Sequence, residues 1–497
     1  MSLALIHTRA QVGVQAPAVT VEAHLANGLP ALTLVGLPET AVKESKDRVR
    51  SAIQTSQFEF PARRITLSLA PADLPKDGGR YDLAIALGIL AASGQCPAES
   101  LLNLECLGEL SLSGELRPVR GVLPAALAAR HAQRALLVPL ENAEEASLIS
   151  GLTVLAARSL RQVVEHLNGD QPLLPYQSNG LALTPASYPD IAEVQGQESA
   201  KRALLVAAAG GHNLLFTGPP GTGKTLLASR LPGLLPPLLE HEALEVAAIQ
   251  SVMHSDALTQ WPARPFRQPH HSASGPALVG GGSRPQPGEI TLAHHGVLFL
   301  DELPEFDRKV LEVLREPLEN GKIVISRAAG QVEFPARFQL VAAMNPCPCG
   351  YLGDPSGRCR CSPDQVQRYR SKLSGPLLDR IDLHVTVARE TTSLNLPEQT
   401  AGHSAAFAEQ VAACRQLQQQ RQGQNNAQLD LQGLRQHCQL AADDQAWLET
   451  ASERLQLSLR ATHRVLKVAR TLADLAHSEH ILRTHVAEAL QYRSAHH

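Results

Sequence analysis

The stretch Gly218-Pro-Pro-Gly-Thr-Gly-Lys-Thr225 decides how the middle of this sequence folds. It matches the pattern G-x-x-x-x-G-K-[ST], in which glycines allow backbone N–H groups to converge on phosphate oxygens. The apolar segment Leu214–Thr217 before it predicts a strand, and a helix is predicted after it, with its N-terminus at the phosphates. We therefore predict a nucleotide-binding loop that consists of Gly218, Pro219, Pro220, Gly221, Thr222, Gly223, Lys224 and Thr225.

Two acidic residues complete this predicted site. The apolar segment Val297–Leu300 predicts a buried strand, and Asp301 and Glu302 follow it directly. We expect Lys224 to contact the β- and γ-phosphates of ATP. Thr225 and Asp301 are the expected ligands of Mg²⁺. In P-loop enzymes an acidic residue that follows a buried strand, as Asp301 does here, helps to hold this ion. Glu302 is then expected to orient or deprotonate the attacking water.

A third apolar segment, Phe338–Met344, predicts another buried strand that ends at Asn345. Asparagine often ends strands, so this residue alone is a weak signal. Its place in the chain, after the two motifs above, predicts that Asn345 contacts the γ-phosphate or the attacking water.

Length and composition place the chain among multidomain globular proteins. Its 497 residues correspond to two to four domains, with 44% hydrophobic and 19% charged residues. Strand-like and helix-like segments alternate in the first and middle parts, and helical periodicity marks the end. The predicted segments are an α/β unit over 1–168, a Pro/Gly/Ser-rich linker over 169–189, an α/β ATPase core over 190–390, a Gln-rich and exposed helical linker over 391–432, and a helical bundle over 433–497.

The charge balance excludes a uniformly basic nucleic-acid-binding protein. Lys and Arg number 45 against 48 Asp and Glu, which gives a formal net charge of −3, and aromatic residues make up 3%. So few aromatic residues argue against a surface that stacks many bases. No apolar run is long enough to span a membrane and no secretory signal is visible, so we expect a cytoplasmic protein with no membrane partner.

Four of the eight cysteines crowd into one short segment, as Cys347, Cys349, Cys359 and Cys361. Four thiolates satisfy tetrahedral Zn²⁺, and in a large cytosolic chain such crowding favours a metal over disulfides. The Cys-x-Cys spacing is tighter than that of usual zinc pairs. The sequence therefore predicts a structural zinc site, with four reduced and unliganded cysteines as the alternative.

Two histidine pairs, His270/His271 and His294/His295, also suggest metal ligands. Adjacent residues of a strand face opposite sides, so we predict that neither pair forms a shared metal site. Structural or nucleotide-proximal roles are the preferred interpretation.

The order of these motifs resembles that of the AAA+ ATPases, in the branch that includes magnesium chelatase and the MCM helicases. Asn345 takes the sensor-1 place. Arg380, in Leu377-Leu-Asp-Arg-Ile-Asp382, resembles the arginine finger that acts on the ATP of a neighbouring subunit, which implies a ring. Arg460, in the sequence Ser-Leu-Arg-Ala, resembles the sensor-2 arginine of the helical lid.

The segment Lys322–Phe334 predicts a β-hairpin before the Asn345 strand, and in this branch a hairpin at that place projects into the central pore. Local basic character comes from Lys322, Arg327, Arg337, Arg368, Arg370 and Lys372. If they face a pore, they can neutralise DNA phosphates. A solvated cationic face is the alternative.

The resemblance narrows to one family, named ComM/YifB. The segments that carry it are Val35-Gly-Leu-Pro-Glu-Thr-Ala-Val-Lys-Glu-Ser45, Ala70-Pro-Ala-Asp-Leu-Pro-Lys-Asp-Gly78, Phe266-Arg-Gln-Pro-His-His-Ser-Ala-Ser274 and Ser374-Gly-Pro-Leu-Leu-Asp-Arg380. They span essentially the full chain. The family implies a homo-hexameric, DNA-stimulated helicase that promotes branch migration when incoming strands recombine during natural transformation. Single-stranded and branched DNA are the implied partners. The resemblance leaves open whether recombination proteins are partners as well.

The first domain resembles the Lon protease domain, because Pro75-Lys-Asp-Gly78 matches the start of the Lon serine motif. The serine position falls at Arg80, and the lysine position falls at Leu123. Since nucleophile and base are both missing, we predict a Lon-like fold without protease chemistry. The sequence leaves ring assembly, substrate guidance and partner binding open as its role.

The predicted fold class is therefore α/β multidomain: a Lon-like domain, an AAA+ core with a parallel sheet, and a C-terminal helical lid. The predicted function is a Mg²⁺-ATP-dependent DNA helicase. The first alternative is a motor of the magnesium-chelatase type, against which the Lon-like domain argues. A protein-remodelling motor that does not act on DNA is another alternative, and the complete set of ATPase motifs argues against a scaffold without activity.

Overall fold

The computed structural model describes residues 2–36, 40–178, 187–253, 261–282, 285–327, 330–354, 357–389 and 403–493. The chain divides into two compact units. The first unit consists of Met1–Thr184 and Glu240–Pro262, and the second of Pro185–Leu239 and Ala263–His497. Among the helices of the described ranges, none combines the length and apolarity needed to cross a membrane.

Strands and helices alternate through much of the chain. The strands are β1 (Ser2–Arg9), β2 (Ala18–Ala26), β3 (Ala31–Val35), β4 (Arg64–Ala70), β5 (Leu104–Cys106), β6 (Glu109–Leu110), β7 (Leu116–Arg117), β8 (Ala135–Pro139), β9 (Val154–Ala157), β10 (Leu214–Thr217), β11 (Phe266–Arg267), β12 (Gly280–Gly281), β13 (Gln286–Pro287), β14 (Val297–Leu300), β15 (Lys322–Arg327), β16 (Gly330–Pro335), β17 (Gln339–Met344) and β18 (Leu383–Thr386). The helices are α1 (Thr40–Thr55), α2 (Asp82–Ala92), α3 (Val122–His131), α4 (Leu140–Ala146), α5 (Leu160–Asn168), α6 (Glu198–Gly210), α7 (Lys224–Leu234), α8 (Glu240–Met253), α9 (Gly275–Val279), α10 (Glu289–Leu292), α11 (Arg308–Val313), α12 (Arg315–Asn320), α13 (Pro363–Arg370), α14 (Gly375–Leu378), α15 (His403–Gln422), α16 (Leu431–His437), α17 (Ala442–Arg454), α18 (Leu459–Leu475) and α19 (Arg483–Gln491).

The first unit is built on a seven-stranded mixed sheet in the order β3-β4-β2-β1-β5-β8-β9. β1, β2 and β4 pair antiparallel, and the remaining pairs are parallel. Along β2, Val19, Val21, Ala23 and Leu25 are buried and the residues between them are more exposed, which is the alternation of a strand with one covered face. The nearly all-apolar helix α2 is buried against this sheet. The predicted α/β character of the first segment is confirmed.

Helix α8 belongs to the first unit, although it follows the nucleotide loop in the sequence. Leu244, Ala247 and Ala248 pack into the same apolar cluster as the core side of α3. The carbonyl of Ser251 accepts a hydrogen bond from the backbone N–H of Gly121 at 2.8 Å. The prediction of a continuous core over 190–390 did not anticipate this excursion, because periodicity predicts a helix but not the surface against which it packs.

The second unit is organised by a five-stranded parallel sheet in the order β11-β14-β17-β10-β18. The strands β14 and β17 are buried along their whole length, as expected for parallel strands that are covered on both faces. The predicted strand boundaries agree with the structure to within one residue for β10, β14 and β17. Two small antiparallel hairpins, β12–β13 and β15–β16, accompany the sheet.

The C-terminal helices complete the second core. Val465, Val468 and Leu472 of α18 are buried at helical spacing, as the sequence predicted. Helix α15 packs against α6, α7 and α18 and buries Val411 and Cys414. The helix predicted within 391–432 is present as α15, but one face of it is packed and not exposed; residues 391–402 lie outside the described ranges.

Removing the Leu244 side chain tests whether α8 belongs to the first core. Each of the two tryptophans reports on a different unit, because Trp261 packs in the first and Trp447 in the second. In a Trp447→Phe background, fluorescence-monitored urea unfolding reports the first unit. We expect Leu244→Ala to lower its free energy of unfolding by about 2 kcal/mol or more, since a buried leucine is lost. The control Leu112→Ala removes a leucine that is 60% exposed. Equal stability of the two variants would contradict this packing of α8.

Candidate nucleotide site

The parallel sheet of the second unit brings three predicted site segments to one edge. β17 lies between β10 and β14, with Thr217 paired to Met344 and Leu300 paired to Ala342. The carboxyl ends of parallel strands meet at the same edge, where α/β proteins place their ligands. The nucleotide loop follows β10, the two carboxylates follow β14, and Asn345 follows β17.

The nucleotide loop has a backbone that only glycine accommodates at its critical positions. Gly221 and Gly223 have φ values of 77° and 84°, in the left-handed region that favours glycine. At Gly218 a Cβ would lie 2.2 Å from the carbonyl oxygen of Val387, so a side chain is excluded there by close packing. α7 begins at Lys224 directly after this turn, and its N-terminal N–H groups therefore face the loop.

Lys224 is buried inside the loop, with 8% of its surface exposed. Its ammonium donates hydrogen bonds to the carbonyl oxygens of Gly218 at 2.7 Å and Pro219 at 2.8 Å, and to Oδ1 of Asn345 at 3.3 Å. Burial lowers the pKa of Lys224, while the nearby carboxylates of Asp301 and Glu302 oppose that shift. An anion beside this ammonium would favour its charged form, which suits a phosphate ligand.

Thr225 and Asp301, the two predicted Mg²⁺ ligands, lie within hydrogen-bond distance of each other. The Thr225 hydroxyl donates to Oδ2 of Asp301 at 2.8 Å, and the backbone N–H of Glu302 donates to Oδ1 at 2.9 Å. A hydroxyl and a carboxylate are hard oxygen ligands of the kind that Mg²⁺ takes from proteins, usually together with waters and substrate phosphates. The two side chains would therefore suit Mg²⁺ as its protein ligands.

Glu302 has a partner that the sequence did not indicate. Its Oε2 lies 3.1 Å from Nδ1 of His271, whose ring packs edge-on against Phe306. Glu302 itself has φ 52°, an uncommon conformation for a residue other than glycine. The β11 strand, which lies next to β14, ends four residues before His271 and so brings the imidazole to this carboxylate.

The expectation that adjacent histidines face opposite ways is wrong for both pairs. The ring centroids of His270 and His271 are 4.1 Å apart, and those of His294 and His295 are 4.0 Å apart. Neither pair lies in a strand, so strand alternation does not apply. His270 instead bonds the Ser272 hydroxyl at 2.8 Å, which leaves His271 to contact Glu302.

The structure places Arg380 and Arg460 together, in a cavity of about 240 Å³ that His463, Arg464 and Lys467 also line. The Arg380 side chain is buried, donates to the carbonyl oxygen of Pro376 at 2.6 Å and pairs with Glu319. Among the described residues, no hydrogen bond joins either arginine to the nucleotide loop. Glu319 is a further partner that the sequence motif did not indicate.

The two positions that correspond to the Lon dyad lie in the interior of the first unit. Arg80 is 6% exposed, and its guanidinium donates to the carbonyl oxygen of Arg120. Leu123 is fully buried, and its backbone N–H donates to the Ser251 hydroxyl of α8 at 3.3 Å. A buried arginine and a leucine, closed over by α8, provide neither a nucleophile nor a base at these positions.

The fold and this site define a P-loop nucleotide-binding protein of the AAA+ class. The matching family models are "Magnesium chelatase, subunit ChlI" over residues 190–394, "Subunit ChlI of Mg-chelatase" over 21–142 and "Magnesium chelatase, subunit ChlI C-terminal" over 401–493. ATP and Mg²⁺ are the cofactors that this class implies, and the residues described above fit both.

Whole-length relatives narrow the class. The chain is 53% identical to Competence protein ComM of Haemophilus influenzae, over 99% of this chain and 98% of that protein. It is 52% identical to the uncharacterized protein YifB of Escherichia coli, over 99% and 97%. A partial match, 30% identical over 27% of this chain and 24% of the relative, is to Lon protease 2 of Bacillus subtilis. The chain belongs to the ComM/YifB family of magnesium-chelatase-like AAA+ proteins.

Replacing Lys224 by alanine tests the nucleotide site. We expect Lys224→Ala to stay folded, because burial already disfavours its ammonium, but ATP and Mg²⁺ should no longer raise its Tm. A ligand at 100 times its Kd stabilises a protein by about 2.7 kcal/mol, which a thermal-shift measurement detects. The control Lys309→Ala changes an exposed lysine of α11 and should keep the ATP-dependent shift. A full shift in Lys224→Ala would place the nucleotide elsewhere.

Proposed function

We propose that this protein is an ATP-dependent DNA translocase that works as a homo-hexamer. Its role would be branch migration during homologous recombination of incoming DNA in natural transformation. The observation that carries the proposal is a complete nucleotide site, with Lys224 beside Asn345 and Thr225 beside Asp301, in a chain that matches a protein named Competence protein ComM over nearly its whole length.

Hydrolysis is the step that would drive movement. Glu302 is placed next to the proposed Mg²⁺ ligands and is half-exposed, so its carboxylate is accessible to the attacking water. Arg380 would stabilise the transition-state charge on the ATP of a neighbouring subunit, and Arg460 would sense the nucleotide. Because Arg380 now pairs with Glu319, this step requires its guanidinium to exchange that carboxylate for a phosphate.

Two hairpins of the second unit favour a function in which the protein acts on a polymer such as DNA. β15 and β16 pair from Lys322↔Pro335 to Arg327↔Gly330, with residues 328–329 outside the described ranges. β12 lies against this hairpin, since a Cβ at Gly280 would be 3.0 Å from Cδ1 of Ile325. Lys322 pairs with Glu333 at 2.9 Å, whereas Arg368 and Arg370 of α13 are exposed. The exposed arginines are the stronger candidates for phosphate contacts.

A motor of the magnesium-chelatase type, or one that remodels proteins, is the second candidate. The observation that favours it is the description of all three matching family models as chelatase subunit ChlI. Recombination proteins would be partners under the first proposal only. The cofactors of both candidates are ATP and Mg²⁺. In addition, we propose a zinc ion for the cysteine segment, residues 347–361.

ATP hydrolysis with and without DNA separates the candidates. We expect single-stranded and forked DNA to stimulate the wild-type ATPase, and the activity to disappear in Glu302→Gln because the amide cannot accept the proton of water. The matched control is Glu316→Gln, an exposed residue of α12, which should behave as wild type. Strand displacement on forked DNA would follow. An ATPase that no DNA stimulates would overturn the DNA proposal and favour the second candidate.

His271 is expected to position Glu302 for this reaction. His271→Ala should lower kcat on the order of tenfold with little change in the KM for ATP, because the misplaced carboxylate affects the chemical step and not nucleotide binding. His270→Ala is the matched control, since its ring bonds Ser272 and packs against His271, and among the described residues it pairs with no carboxylate. Steady-state ATPase kinetics decide, and equal kcat values for the two variants would show that the His271 contact has no role in hydrolysis.

A further inference from the structure

The four clustered cysteines converge to a single point. Cys347 and Cys349 follow β17, Cys359 and Cys361 precede α13, and all four sulfur atoms lie within 4.8 Å of one another. Cys347 Sγ is 3.4 Å from Cys349 Sγ and 3.8 Å from Cys359 Sγ, and Cys349 Sγ is 3.7 Å from Cys359 Sγ. Four sulfurs at about 2.3 Å from one tetrahedral Zn²⁺ are separated by about 3.8 Å, so the cluster has the dimensions of one ion.

Neither a disulfide nor a set of unliganded thiols accounts for the cluster as well as a metal does. A disulfide requires sulfurs about 2.05 Å apart, and all four cysteines are free. Thiolates so close together repel one another unless a cation lies between them, and zinc binding both removes the protons and compensates the charge. Four protein thiolates leave no coordination position open, so the ion would be structural and not catalytic.

The cysteine segment touches the nucleotide site directly. Gly350 lies against the nucleotide loop, since a Cβ there would be 2.7 Å from Cδ of Pro220 and 3.8 Å from Cγ of Asn345. At the far end of the segment, Ser362 caps α13 with its side chain, and α13 carries the buried Tyr369. Burial raises the pKa of Tyr369 to about 12, and the backbone N–H of Asn345 opposes that shift. Gly350 and Tyr369, on either side of the second cysteine pair, therefore both lie near Asn345.

We propose that Cys347, Cys349, Cys359 and Cys361 bind one structural Zn²⁺ and that this ion holds Asn345 and Pro220 in place around the nucleotide. The cysteine segment, residues 347–361, lies between β17 and α13, and its described residues form no helix or strand. We infer that a metal crosslink stabilises it in their place. The effect of the ion on nucleotide binding rests on the proposed function, whereas the metal site itself does not.

Metal analysis tests the site without reference to activity. Protein purified without chelator and without added zinc should contain one zinc per chain by elemental mass spectrometry. Cys359→Ala/Cys361→Ala should contain none, while the matched control Cys96→Ala/Cys438→Ala, which changes two buried cysteines outside the cluster, should keep its zinc. Cobalt-substituted wild type should show the absorption bands of tetrahedral thiolate-bound Co²⁺. Absence of stoichiometric metal, an iron–sulfur spectrum, or zinc retained by the cluster variant would overturn the proposal.

Reversible removal of the ion tests its effect on the nucleotide site. Wild-type protein stripped with a mercurial reagent and a chromogenic chelator should bind a fluorescent ATP analogue on the order of tenfold more weakly, and thiol plus Zn²⁺ should restore binding. This comparison avoids a variant that fails to fold. Unchanged nucleotide binding after zinc release would overturn the supporting role. Zinc present in a chain that binds no nucleotide even before stripping would instead contradict the proposed function.

Discussion

The position of β17 between β10 and β14 is the constraint on which the nucleotide site depends. All three strands are parallel, so the loop, Asn345 and the two carboxylates emerge at one edge. The register of β17 is held by its one polar residue. Gln339 is buried and donates to the carbonyl oxygens of Ala207 at 2.9 Å and His212 at 2.7 Å. A buried amide needs such partners, and they keep the strand from sliding.

A second buried network attaches the helical lid to the edge of the same sheet. Asp382, just before β18, accepts from Arg464 of α18 at 2.5 Å and lies 3.5 Å from Nδ1 of His212. Burial alone would raise the pKa of Asp382, but the neighbouring Arg464 guanidinium and the His212 contact hold it well below its usual range. The ionised carboxylate therefore stabilises the fold at neutral pH, and this contribution is lost as acid protonates it. Arg464 lies four residues after Arg460 on α18, so the two share one face of the helix. The network therefore also orients the face that carries Arg460.

The regular elements and the nucleotide motifs could be predicted from the sequence because each depends on local chemistry. Val297–Leu300 is apolar throughout, and its length and flanks suit a strand buried on both faces. Gly221 and Gly223 mark a backbone that other residues disfavour. The contact of His271 with Glu302 could not be predicted in this way, because the two lie 31 positions apart in the sequence and the pairing of β11 with β14 brings them together. The same applies to Glu319 and Arg380.

Short segments of the sequence were enough to indicate the family and to predict the nucleotide loop with Thr225, Asp301 and Asn345 beside it, since glycine geometry and strand apolarity are local properties. The folded chain was needed to show that α8 packs on the first unit, that Arg380 is buried against Glu319, and that the four cysteine sulfurs converge. Those outcomes depend on which buried surfaces meet across long stretches of chain. Apolar burial is non-directional, so a helical pattern fixes which face is covered but not what covers it.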